Sequence, residues 1–155
     1  MVTISYSTIY SRFLSRVEAY ELADMVETNA YEMLEEWLKS VKSNPRFRKL
    51  FKSITLDSEI QTITAELKNS QGDEETDVDF IVELFSVGIA WKWVSPKYLS
   101  TLNASQMISG SKVNFYSQAQ HLSELAHMYK NTETEFYGMI RDYGTLYNSY
   151  LNSDE

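Results

Sequence analysis

Large apolar residues recur every seven positions near the carboxyl end: Phe115, Leu122, Tyr129, Phe136, Tyr143 and Tyr150. Leu125, Met139 and Leu146 stand three residues further on, with Gln118 and Thr132 as polar exceptions. A repeat of this kind lines its side chains along one stripe of an α-helix. It predicts one long helix from about Ser111 to Asp142 and beyond. The stripe is mostly aromatic, and such rings are too bulky for tight two-stranded knobs-into-holes packing. The helix is therefore expected to lie across other helices. Gly138 and Gly144 mark places where it can bend or fray, since each costs up to about 1 kcal/mol in a helix interior.

The rest of the chain offers few helix breakers, with 5 Gly and 2 Pro in 155 residues. That scarcity favours long helices over a many-turned β fold. Ile9, Phe13, Leu14, Val17, Tyr20 and Leu22 predict a first helix from about Ser7 to Met25, capped by Ser5 or Ser7. Ala30, Met33, Leu34, Trp37, Leu38 and Val41 form the stripe of a second, from about Glu27 to Lys42. Its acids come early and its lysines late, which suits the helix dipole. Asn44-Pro45 ends it, and Phe47, Leu50, Phe51 and Ile54 suggest a short helix straight after.

Residues 57–68 read two ways. Leu56, Ile60, Ile63 and Leu67 fit a helix, whereas Ile60, Thr62 and Thr64 fit an alternating strand; the helix is favoured. Asn69 to Glu75 reads as a loop. Thr76 or Asp77 then caps a helix from about Val78 to Trp93, which Ser95-Pro96 stops. The Ser- and Asn-rich Lys97–Lys112 stretch reads as a loop or short helical turn. The expected fold class is mainly α: a single-domain helical bundle over residues 1–147 with a long C-terminal helix, and a flexible tail over 148–155.

Composition sets limits on chemistry. Hydrophobic residues make up 43% and charged residues 23%, a globular balance that suits one core. The chain has no cysteine, which excludes disulfides, thiolate metal sites and a cysteine nucleophile. The start, Met1-Val2-Thr3-Ile4-Ser5-Tyr6, has neither the basic region nor the apolar core of a secretory signal. The apolar stretch Val78–Val94 is interrupted by Asp79, Glu83 and Lys92, so it is expected to be a buried helix and not a membrane span.

No motif for catalysis or cofactor binding emerges. His121 and His127 lie six apart, about 120° apart around a helix, where a shared metal would need a spacing of three or four. Glu35 pairs with Lys39 by i,i+4 spacing, so Glu32, Glu35 and Glu36 read as a solvated face. The glycine-rich phosphate loops and the nucleophile elbow are absent. The acids after Gly72 miss the spacing of a calcium loop. The 3 Trp and 11 Tyr would suit base stacking only beside a basic groove, which the overall charge opposes. No catalytic residue, cofactor or metal is expected.

Charge is segregated. The formal net charge is −8. Residues 1–56 carry a net +1, residues 57–83 a net −8 and residues 84–155 a net −1. A basic stretch holds Lys39, Lys42, Arg46, Arg48, Lys49 and Lys52. An acidic run holds Asp73, Glu74, Glu75, Asp77 and Asp79. The two can face each other within the fold, meet on neighbouring copies, or simply be solvated. The second arrangement is head-to-tail and closes into a ring when its rotation permits. On that arrangement Arg46, Arg48, Lys49 and Lys52 meet Asp73, Glu74, Glu75 and Asp77 at the subunit contact, and charge sets register.

The chain resembles the small head-to-tail connector, or neck adaptor, proteins of tailed bacteriophages. The residues that carry the likeness are the Ile4-Ser5-Tyr6-Ser7-Thr8-Ile9-Tyr10-Ser11-Arg12-Phe13 block, Glu36-Trp37-Leu38, Asp79-Phe80-Ile81-Val82-Glu83 and the Tyr-rich last helix. It is a likeness of type over the whole chain, and no functional residue carries over from it. It implies a structural virion protein, made in the host bacterial cytoplasm, that forms a homo-oligomeric ring. It further implies portal and other neck or tail proteins as partners, no membrane, and only incidental contact with DNA. The Lys97–Lys112 loop and the tail from Asn148 are the implied reaching elements. The alternative is a cytoplasmic adaptor or inhibitor that binds a basic partner through its acidic 73–79 loop. An enzyme of unrecognised type is a third reading, to which no residue points.

Overall fold

Of the two long helices, one forms the axis of the molecule. The structure, a computed structural model, describes residues 1–17, 27–70, 72–107 and 112–146. Within the long helices the described side chains are those of 74–100 and 121–143. The elements run β1 (Val2–Ser5), α1 (Tyr6–Arg16), α2 (Glu27–Lys42), α3 (Pro45–Arg48), β2 (Phe51–Asp57), β3 (Thr62–Leu67), α4 (Glu74–Met107) and α5 (Lys112–Leu146). The fold is mainly α. The expected tail over 148–155 lies outside the described residues, as do 18–26, where the first helix was expected to continue.

Residues 84–90 of α4 are buried without interruption, as befits a helix enclosed on all sides. α1, α2, α5 and β1 pack around it. Gly88 permits the closest approach. A Cβ there would lie 2.8 Å from both Val41 methyls and 3.0 Å from Phe136 Cε2. Phe47 of the short α3 packs edge-on against Phe85, with centroids 4.7 Å apart. Asn44 sets α3 by accepting hydrogen bonds from the Arg46 and Phe47 amides at 3.0 and 3.3 Å, with Pro45 preorganised at its first position.

The sheet corrects the sequence expectation. Residues 62–67 form a strand, not a helix, and lie between β1 and β2, antiparallel to both. The inner face aligns Val2 and Ile54 with Ala65, and Ile4 and Leu56 with Ile63. Turn chemistry decides the case. Asp57 accepts hydrogen bonds from the Glu59 and Ile60 amides, and Gln61 adopts a positive φ of 52°. Both features end the chain's run and reverse it. Ile60, which the helical reading placed in the core, is 68% exposed in that turn. The helix expected through Ile54 stops at Arg48, because β2 starts at Phe51 and pairs along β3 with an irregularity between Phe51 and Ser53.

Other boundaries move too. Ser5 occupies the N-cap position of α1 but makes no side-chain cap bond; its hydroxyl bonds those of Ser7 and Thr8. Asp73, and neither Thr76 nor Asp77, caps α4: its carboxylate accepts the Thr76 amide at 2.8 Å. Pro96 does not end α4, which carries on to Met107, so 97–107 is helix and not loop. Ser95 Oγ donates to the Trp91 carbonyl at 2.6 Å. α5 spans the proline, with Tyr129 contacting Trp91 before it and stacking on Tyr98 after it.

The long last helix stands as α5, continuous through Gly138 and Gly144. Of its seven-residue stripe, Phe136 and Tyr143 are buried. The polar exception Thr132 is buried as well, its hydroxyl donating back to the Met128 and Tyr129 carbonyls. Tyr143 donates to the Asn69 carbonyl at 2.6 Å and accepts the Asn69 amide at 2.7 Å. Those two bonds fasten the strand-to-helix connection that leads into the acidic run.

Candidate functional site

The basic stretch spans the end of α2, all of α3 and the start of β2, so its charges point in several directions. The Arg46 guanidinium sits 4.8 Å from the centroid of the Tyr137 ring. Arg48 joins Lys39 and Lys42 around an open groove of about 560 Å³, with Ser43, Leu56 and Ser58 as its other lining. Lys39 pairs with Glu35 at 3.4 Å, the expected i,i+4 pair. Among the described residues, Lys42, Arg48 and Lys49 form no ion pair. Lys52 does not line that groove and pairs across the strands with Glu66 at 3.4 Å.

The acidic run becomes a preformed turn at the head of α4. Its first-turn acids are Glu74, Glu75 and Asp77, which the helix dipole favours. The hydrogen bond from the Thr76 amide holds the Asp73 carboxyl below its usual range. Asp77 accepts the Ser70 hydroxyl at 2.8 Å. Glu74 and Glu75 are exposed. Asp73, Glu74 and Asp77 share a cleft of about 370 Å³ with Lys52, Glu66 and Lys68.

Of the eight residues expected at a subunit contact, the fold brings Lys52 alongside Asp73, Glu74 and Asp77 within one chain. Arg46, Arg48 and Lys49 do not line that cleft, and the groove of Lys39, Lys42 and Arg48 shares no lining residue with it. Lys39 and Lys42 belong to the basic groove; the sequence places both in the basic stretch but assigns only Arg46, Arg48, Lys49 and Lys52 to the contact. The i,i+3 spacing of Lys39 and Lys42 on the last turn of α2 was the available signal.

Further inside, ion pairs join the helices. Arg12 of α1 donates to Glu83 of α4 at 2.8 Å. Arg16 bridges Glu83 to Glu135 of α5, donating to Glu135 at 2.8 Å. Burial alone would raise the Glu83 carboxyl, but hydrogen bonds from Arg16 and Arg12 outweigh it and hold the group below its ordinary range. Burial pushes the Tyr6 and Tyr10 phenols up. His121 and His127 are both exposed on α5. Among the described residues no group of three His, Cys, Asp or Glu side chains is placed to hold a metal ion, and no helix is long and apolar enough to cross a membrane.

Comparison with known proteins finds no family model, no curated protein and no solved structure that matches this chain.

Proposed function

We propose that this chain is a non-enzymatic assembly subunit that acts by docking against other polypeptides. Its finer role, on this reading, is that of a head-to-tail connector of a tailed bacteriophage, arranged as a ring in the virion. The outer part of the α4–α5 hairpin carries the reading. From the buried Val94 to its end at Met107, α4 runs on for about 20 Å. α5 covers about 30 Å between its start at Lys112 and the buried Thr132. Every described side chain in 95–100 and 121–131 is exposed or half-buried, and Leu99 is 52% exposed.

Helices of this length draw most of their stability from tertiary packing. A hairpin that outruns its own core therefore offers its surface to neighbours. The likeness to neck adaptors implies an element that reaches the portal or the next ring. The hairpin has the reach for that task, where the sequence had suggested a loop.

Light scattering and native mass measurement on the full chain, alone and with a tailed-phage portal protein, test the proposal. Ring-sized multimers or a complex with the portal are expected. A chain that stays monomeric and ignores the portal overturns it. That result would favour the second reading, a binding module for a basic partner, for which the exposed Glu74 and Glu75 on their preformed turn are the supporting feature.

A further inference from the structure

We infer that the basic groove of Lys39, Lys42 and Arg48 receives the acidic first turn of α4 from a second copy of this chain. The inference rests on the assembly reading above and names its contact. Three observations carry it, and the first is charge. The groove gathers three cations against one partner carboxylate, Glu35. The turn that would fill it carries Asp73, Glu74, Glu75 and Asp77 with no cation among them.

The second observation is shape. The groove is open and concave. The turn ahead of α4 lines the cleft with Lys52 on one side and is open to solvent on the other: Gly72 to Thr76 are all exposed, and a Cβ at Gly72 would meet nothing within 4 Å. Capping by Asp73 holds Glu74 and Glu75 in helical register before any contact, so little ordering cost attends docking.

The third is separation. The groove and the cleft that holds the turn's Asp73, Glu74 and Asp77 share no lining residue, and among the described residues none of Lys39, Lys42 and Arg48 forms an ion pair with an acid of the turn. A patch that meets a different patch on the next copy makes a heterologous contact, the kind that closes rings. The arrangement revises the pairing expected from the sequence. Lys52 is spent on Glu66 within the chain, and Lys42 takes its place at the contact.

Paired charge reversals test the contact. The variant Lys42→Glu with Arg48→Glu reverses the groove, and Glu74→Lys with Glu75→Lys reverses the turn. Each is expected to weaken self-association by roughly tenfold to a hundredfold, because like charges then face each other. Mixing the two variants makes both junctions complementary, native turn to native groove and reversed turn to reversed groove, and is expected to yield mixed assemblies of the two variants by native mass. All four residues lie at the surface, and circular dichroism with thermal melts verifies that each variant is folded. Should a variant fail to fold, Arg48→Ala and Glu75→Gln supply milder versions of the same comparison.

If both folded variants assemble like the parent chain, the contact is wrong while the assembly reading stands. If the parent chain is itself monomeric at every concentration, the contact and the reading fall together. Loss of assembly in each variant without recovery on mixing also rejects the pairing, since it shows that the two surfaces do not meet each other.

Discussion

The two parts of α4 are one continuous helix with opposite surroundings. From Ile81 to Val94 it is wrapped by α1, α2, α5 and β1, and buried almost all round. From Ser95 to Ser100 the described side chains are half-buried or exposed. Sequence chemistry draws the same line. The inner part is mostly Ile, Val, Leu, Phe, Trp and Ala; the outer part mixes Ser, Thr, Asn and Gln with Tyr98, Leu99, Leu102 and Met107. The inner part shows what holds the fold together. The outer part adds no fully buried side chain among its described residues, which is why it bears the functional proposal.

The largest effect on this contrast is expected at Gly88. An added methyl at Gly88→Ala would gain about 1 kcal/mol in helix propensity. It would also drive into the Val41 methyls and the Phe136 ring at 2.8–3.0 Å. Those neighbours belong to α2 and α5, so relief requires whole helices to shift. Overpacking costs on the order of 1–3 kcal/mol, and after the propensity gain we expect a net loss of up to roughly 2 kcal/mol in urea unfolding. A neutral or stabilised variant would show that the inner part is loosely packed, and the contrast would lose its physical basis.

How legible all this was depends on which physical signal each element uses. The long last helix, the second helix and the buried Val78–Val94 stretch announce themselves through periodicity, because packing against a core imposes it. β3 did not, since Leu56, Ile60, Ile63 and Leu67 mimic a helix. The deciding signal was local: Asp57 with Ser58 and Glu59 forms a turn that places Ile60 outside. Pro96 misled for the opposite reason, since tertiary support from α5 overrides a local breaker. The charges of the candidate surfaces were legible as segregated stretches. Their pairing was not, because only the irregularity of β2 between Phe51 and Ser53 brings Lys52 beside Glu66, whose partner in the ladder is Ser53.

A smaller effect is expected at the edge of the inner part, where Glu83 joins Arg12 and Arg16. The Glu83 carboxyl is depressed in the folded chain. Its contribution is therefore full above the ordinary glutamate range and is lost as pH falls through the lower folded value. Between about pH 6 and pH 3 the parent chain should lose more stability than Glu83→Gln, by about 1 kcal/mol or less for so partly exposed a group. Equal slopes for the two proteins in pH-dependent urea unfolding would mean that the bridge from α1 to α4 contributes nothing to the wrapped part.

The smallest effect on stability is expected in the outer part, and it bears most directly on function. Leu99→Gln replaces an exposed apolar side chain with a polar one of similar helix propensity. Away from the core such a change should stay within about 0.5 kcal/mol. If the hairpin meets neighbouring proteins, the same substitution removes apolar area from that contact and should reduce assembly by native mass while the melting temperature holds. A variant that melts early, as Gly88→Ala should, would place Leu99 in the chain's own packing and erase the distinction between the two parts of α4. A variant that melts normally and assembles normally would keep the distinction and move the contact to another face of the hairpin. Stability and assembly respond separately only if the helix does two jobs along its length, so measuring both on one conservative surface change is the sharpest test of that division.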